Sequence, residues 1–206
     1  MCKKRFGVAG DFYWIKLRVL DIDVKSDTHL QEITVDFPVL LPHEMLAAIY
    51  HCGPARFKKS VLGPMGENNA CSKFWDVVRN APWLQTHPIW THSAESRAYA
   101  APWYMFGDHG SIFENKEKLL VVLTGSALSD AETWDSRFLY AALPNSWIGP
   151  NTMHDLELPL AWSFKVGSTG HWPKEDHLGN RWKEVGLNQQ RHIHAKHNHM
   201  LSCARC

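Results

Sequence analysis

Between residues 102 and 170 the chain carries three apolar runs and one long helical pattern, in an order that few folds accept. Trp103-Tyr104-Met105-Phe106 is the continuous apolar run a buried strand needs. Gly107-Asp108-His109-Gly110 follows and reads as a turn, because glycine frees the backbone and an Asp side chain bonds to nearby main-chain groups. Ser111 to Phe113 resumes the strand, residues 114–117 form a polar hairpin tip, and Leu119 to Leu123 is a second buried run. Arg137 to Leu143 is a third strand, stopped by Pro144. After Gly149-Pro150, Thr152 caps a helix carrying Leu156, Leu160, Phe164 and Val166, with Pro159 placed to kink it and Gly170 to end it.

Three consecutive antiparallel strands followed by a helix is how a ribonuclease-H-like core begins. The expected fold class is therefore α/β: an incomplete ribonuclease-H-like β-β-β-α core over residues 102–184, an N-terminal α+β arm over 1–101, and a disordered His/Cys-rich tail over 185–206. In the arm, residues 12–24 alternate, with Tyr13, Ile15, Leu17 and Val19 on one face and Trp14, Lys16 and Arg18 on the other. Ile33 to Phe37 makes a second strand, closed by Pro38. Pro42 opens a helix with Met45, Leu46, Ile49 and Tyr50 at helical spacing, stopped at Gly53-Pro54. Residues 53–69 read as an exposed connection. Ser72 caps a short helix to Asn80 with Phe74, Val77 and Val78 inward, and 80–101 is irregular and marks the boundary of the arm.

Nucleases of the ribonuclease-H-like fold place a metal-binding carboxylate on the first strand, and Asp108 falls there. Two divalent ions, Mg or Mn, held by such carboxylates activate water and stabilise the leaving oxygen in phosphodiester cleavage. The same tetrapeptide is also an ordinary turn sequence. A second acid is expected on a fourth strand after the helix. Only Asp176 and Glu184 stand near, both in loop-like sequence, so Asp108 reads as the remnant of an inactive site.

Two further clusters carry chemistry. Lys58, Lys59, Lys73 and Arg79 lie among Phe57, Phe74 and Trp75, with Arg56 beside them, the mixture of cations and rings that holds a nucleic-acid backbone and its bases. A solvated charged loop has the same composition. In the tail, His192, His194, His197 and His199 precede Cys203 and Cys206, donors that suit Zn, although the spacing matches no common finger. A small interaction module with a zinc-binding tail is thus the alternative to a nucleic-acid-contacting protein with a ribonuclease-H-like core. No Walker loop, G-x-G-x-x-G or G-x-S-x-G is present.

The totals set limits on these readings. Twenty-two basic and 21 acidic side chains nearly cancel, so any nucleic-acid contact has to come from a local patch. Five cysteines at irregular spacing, with no secretory leader pattern before them, predict reduced thiols in the nucleus or cytoplasm. No apolar stretch approaches the about 18 residues a membrane span needs. The ten tryptophans are dispersed and read as packing anchors.

Several segments together resemble a multigene family known chiefly from dinoflagellate genomes: Asp36-Phe-Pro-Val-Leu-Leu-Pro-His43, the Gly107-Asp108 pair, Asp135-Ser-Arg-Phe-Leu139, Leu160-Ala-Trp-Ser-Phe164, Gly170-His-Trp-Pro173 and Asp176-His-Leu-Gly179. They span roughly residues 36–182. The resemblance implies mobile-element ancestry, and it implies a truncated copy, because members continue with another acidic strand and further helices. The family's usual His before Gly-Asp is replaced here by Phe106.

Overall fold

The computed structural model describes residues 12–21, 31–65, 70–112 and 117–191. Strand β1 (Tyr13–Leu20) buries its odd positions, as alternation predicts, and pairs antiparallel with β2 (Glu32–Val39) from Tyr13 opposite Val39 to Leu20 opposite Glu32. The cross-strand partners Lys16 and Asp36 form an ion pair of 2.8 Å on the open face. Helix α1 (Pro42–His51) begins on its proline, where the missing N–H is no loss. It buries His43, Ala47 and Ile49, whereas Met45 and Leu46 pack only partly.

Residues 53–65 meet the expectation of an exposed connection only in part: 54, 55, 58 and 59 are exposed, whereas 60–63 are buried. They coil as Pro54–Phe57, a π turn Lys58–Leu62 and a 3₁₀ turn Gly63–Met65, with Ser60, Val61 and Leu62 buried. Ser126 Oγ donates to the Val61 carbonyl at 2.5 Å and Ser129 Oγ to that of Lys59 at 3.1 Å, so two hydroxyls from a distant segment hold the coil down. Helix α2 (Ala70–Val78) starts earlier than Ser72 and is rotated from the predicted face: Cys71 and Trp75 are buried, and Val77 is 82% exposed. The reason is Trp75, whose indole N–H reaches the Ala100 carbonyl at 2.7 Å and whose ring contacts His87 and Trp90. Residues 80–101 hold only short turns: Pro82–Leu84, Pro88–Thr91 and Ala94–Arg97.

Strands β3 (Trp103–Ile112), β4 (Glu117–Ser126) and β5 (Arg137–Pro144) form an antiparallel sheet in that order. The predicted turn at Gly107–Gly110 does not exist. These four residues continue β3, opposite Val122 to Leu119, and neither glycine adopts positive φ. The ladder with the strongly apolar β4 satisfies the backbone groups on their inner side, which outweighs a local turn preference. A bulge at Val122/Leu123 in the β4–β5 ladder leaves Tyr140 without an opposite residue. Helix α3 (Thr152–Thr169) runs through Pro159 and ends on Gly170, whose φ of 70° is the left-handed value that closes a helix.

The chain is thus a mixed α/β protein with two antiparallel sheets. Leu40 N–H donates to the Tyr140 carbonyl at 2.9 Å and ties β2 to β5. Tyr13, Ile15, Leu17 and Val39 share one core with Leu120, Tyr140, Leu143, Leu156 and Leu160, so the buried apolar surface crosses the boundary expected near residue 101. From 185 to 190 the chain packs poorly, as expected, with Val185 and Leu187 exposed, but the side chains of Asn188 and Arg191 dock on the core. Asn188 pairs with both main-chain groups of Trp14 at 2.9 Å, and Arg191 is 4% exposed. No helix among the described residues is long and apolar enough to cross a membrane.

Candidate functional site

Alternation along β3 decides what Asp108 can touch. Met105 and Gly107 face α3, lining a cleft of about 70 Å³ with Leu120, Val122, Met153 and Leu156. Tyr104, Phe106 and Asp108 therefore point to the opposite face, where Leu123 and Val121 are the cross-strand partners of Phe106 and Asp108. Asp108 is exposed, and its Oδ1 accepts from the His109 amide at 2.7 Å. Among the described residues no group of three or more His, Cys, Asp or Glu side chains converges to hold a metal ion. Asp176 is committed elsewhere: its Oδ1 accepts from the Leu178 and Asn180 amides and shapes its own loop. Glu184 is exposed in the irregular segment after Trp182. One carboxylate does not hold two ions.

The basic residues divide. Lys58, Lys59, Lys73 and Arg79 are all exposed. Lys59 Nζ and Arg56 Nη2 converge on the Asp135 carboxylate at 3.4 and 3.5 Å. Asp135 lies in the turn Thr133–Ser136, next to Trp134, which is 70% exposed. Two residues on, the Arg137 guanidinium stands 5.7 Å from the centre of the Phe106 ring. A surface of cations and rings therefore runs from residues 56–59 across 134–137 to the face of β3 that carries Asp108. Asp130 and Glu132, a few residues before Trp134 in the chain, are also exposed. Lys73 sits on α2 and Arg79 in the turn that follows it; α2 packs through Phe74 and Trp75 into the same cluster as Phe57 and Val61. Sequence spacing could find Lys58 and Lys59; it had no means of finding Arg137 or Trp134, about 80 residues away and joined to them only by folding.

A second polar cluster is buried. His43 Nδ1 lies 2.7 Å from Ser163 Oγ, and that oxygen also accepts from the His43 amide at 3.2 Å. Nδ1 and the hydroxyl share one proton along this contact, and which of them donates follows the ring tautomer. Nε2 is 4.0 Å from Glu44 Oε1 and has no hydrogen-bond partner, while Trp162 and Trp172 stand edge-on to the imidazole. Burial holds the His43 pKa down at about 3, with the Arg191 charge adding to the effect, so the ring is neutral. A serine beside a histidine is the start of a nucleophile–base pair, but both are sealed from solvent, and no substrate reaches them.

Around this pair, Arg191 clamps Glu44 through two bonds of 2.6 Å and lies 4.9 Å over the Tyr13 ring. Tyr13 Oη meets His177 Nδ1 at 2.6 Å, and burial pushes the phenol's pKa up strongly. The cluster ties β1, α1, α3 and the 171–191 segment together.

The predicted zinc donors His192, His194, His197, His199, Cys203 and Cys206 lie outside the described residues. No protein family, no curated protein and no solved structure matches the chain.

Proposed function

We propose that this chain is a non-catalytic, transposon-related protein with a ribonuclease-H-like core, and that it contacts single-stranded nucleic acid. The observation that carries the contact is the convergence of Arg56 and Lys59 on Asp135, between the exposed Trp134 and the Arg137–Phe106 stack. Cations track a phosphate backbone while rings stack on bases, each stack contributing about 1–3 kcal/mol. The core reading rests on the order β3, β4, β5, α3 and on Asp108 lying on the first strand. Metal ions at Asp108 would need ligands beyond that carboxylate.

Fluorescence anisotropy with a labelled oligonucleotide tests the contact. Binding should weaken with salt, with a log–log slope of about −2 to −3 for three or four neutralised phosphates. Lys58→Glu with Lys59→Glu should weaken it more than tenfold, and Trp134→Ala by a smaller factor that does not alter the slope. Affinity unchanged by these substitutions would remove the nucleic-acid reading. Incubation with Mg or Mn should leave DNA intact, whereas nicking that disappears in Asp108→Asn would make the protein a nuclease.

A further inference from the structure

The three-stranded sheet ends on β3, and its two edges differ. At β5, the main chain of β2 closes part of the edge through the bond from Leu40 to Tyr140. At β3, no strand among the described residues pairs with the outer side. Residues 105–111 are exposed without a break, including Met105 at 53% and Phe106 at 43%. Soluble proteins protect such edges with proline, lysine, a bulge or a covering segment. Strand β3 has no proline or lysine, its ladder with β4 runs in continuous register over ten residues, and its only formal charge is Asp108.

We propose that β3 is a dimerisation edge, pairing antiparallel with β3 of a second copy of this chain into one continuous six-stranded sheet. A two-fold axis normal to the sheet keeps α3 of both copies on the same side, so residues that meet must share a face and the axis must pass through a residue. Axes through Gly107 or through Asp108 give the longest ladders. An axis through Asp108 sets that carboxylate opposite its own copy, which is destabilising. An axis through Gly107 sets Phe106 opposite Asp108 of the second copy, and Met105 opposite His109. Arg137, 5.7 Å from the Phe106 ring, then shares a face with the other copy's Asp108 carboxylate, with Phe106 as their common neighbour. That charge complementarity selects both the occupant and the register.

Sedimentation equilibrium of the full chain over a range of concentrations should show a monomer–dimer equilibrium. Asp108→Arg should weaken the dimer at least tenfold by facing Arg137 with a like charge, and the exchanged pair Asp108→Arg with Arg137→Asp should restore it. Gly107→Cys should give a cross-linked dimer under mild oxidation, above the level of wild type. A strict monomer overturns the proposal, as does a monomer whose β3 amides are strongly protected from hydrogen exchange by another part of the chain. A dimer indifferent to the charge exchange, with no cross-link at 107, uses a different surface and overturns it equally.

Discussion

His43 and Ser163, 120 residues apart, share a hydrogen bond of 2.7 Å in which the serine hydroxyl serves the ring and the backbone of the same histidine. One residue is in the first turn of α1 and the other in the second half of α3, so the bond fixes how these helices meet. Ser163→Ala should cost about 1–3 kcal/mol, the penalty for leaving a buried polar group unpaired. Urea unfolding followed by tryptophan fluorescence measures it; a loss below the error of the fit would show that the ring is satisfied without the hydroxyl.

The same histidine predicts a direction of acid sensitivity. Its folded pKa of about 3 lies below the ordinary 6.5 of an unfolded chain, so the unfolded state binds the proton first. Its contribution is complete above about pH 6.5 and is lost as pH falls toward 3, at up to about 1.4 kcal/mol per pH unit. His177, also held low by burial, acts in the same direction, and so do Asp155 against Arg18 and Glu32 against Asn151 at lower pH. Stability should fall between pH 7 and 5 in wild type and fall less steeply in His43→Gln. Parallel curves for the two proteins would refute the assignment.

Arg191 and Glu44 are 5% and 10% exposed at their side chains, and removing one partner strands the other's charge. Arg191→Met alone should destabilise by about 3–5 kcal/mol, and adding Glu44→Gln should recover a large part of it. A double-mutant cycle from denaturant midpoints gives the coupling. Additive losses would mean that the bidentate pair is not the source of the effect.

Glycines separate sites of close packing from a free edge. A Cβ at Gly125 would stand 2.5 Å from the Ser136 carbonyl oxygen, and one at Gly63 would overlap that of Leu128 at a positive φ. A Cβ at Gly107 meets nothing within 4 Å. Gly63→Ala and Gly125→Ala should each lower stability by more than about 1 kcal/mol, whereas Gly107→Ala should be neutral or slightly stabilising. Thermal unfolding of the three variants checks the ranking, which a costly Gly107→Ala would reverse.

Cys71 is buried, and burial pushes its thiol up to about 11. Timed alkylation read by peptide mass mapping should label exposed Cys52 rapidly and Cys71 only as the protein unfolds. Equal rates in native buffer would place Cys71 at an accessible position.

Periodicity made several elements legible before any coordinates. The alternation from Tyr13 to Val19, the proline at the start of α1, the three strands in order and the Gly170 stop were all readable, because each depends on residues close together in the chain. Asp108 and Lys58–Lys59 could be picked out of the sequence as candidates. Their setting could not, since it depends on Phe106, Asp135 and Arg137 arriving from elsewhere.

The remaining decisions were tertiary. Gly107-Asp108-His109-Gly110 has the composition of a turn, yet it lies in a strand because β4 offers ten residues of ladder beside it. Lys58–Leu62 looks like a solvated loop but is half buried by hydroxyls from residues 126 and 129. Arg191 lies over Tyr13 at the place where α1 holds Glu44, its ion-pair partner. Local pattern determined which segments become strands and helices through side-chain period and backbone restriction. Which face is buried and which polar groups are satisfied depended on partners distant in sequence, because burial and hydrogen bonding are properties of the assembled core.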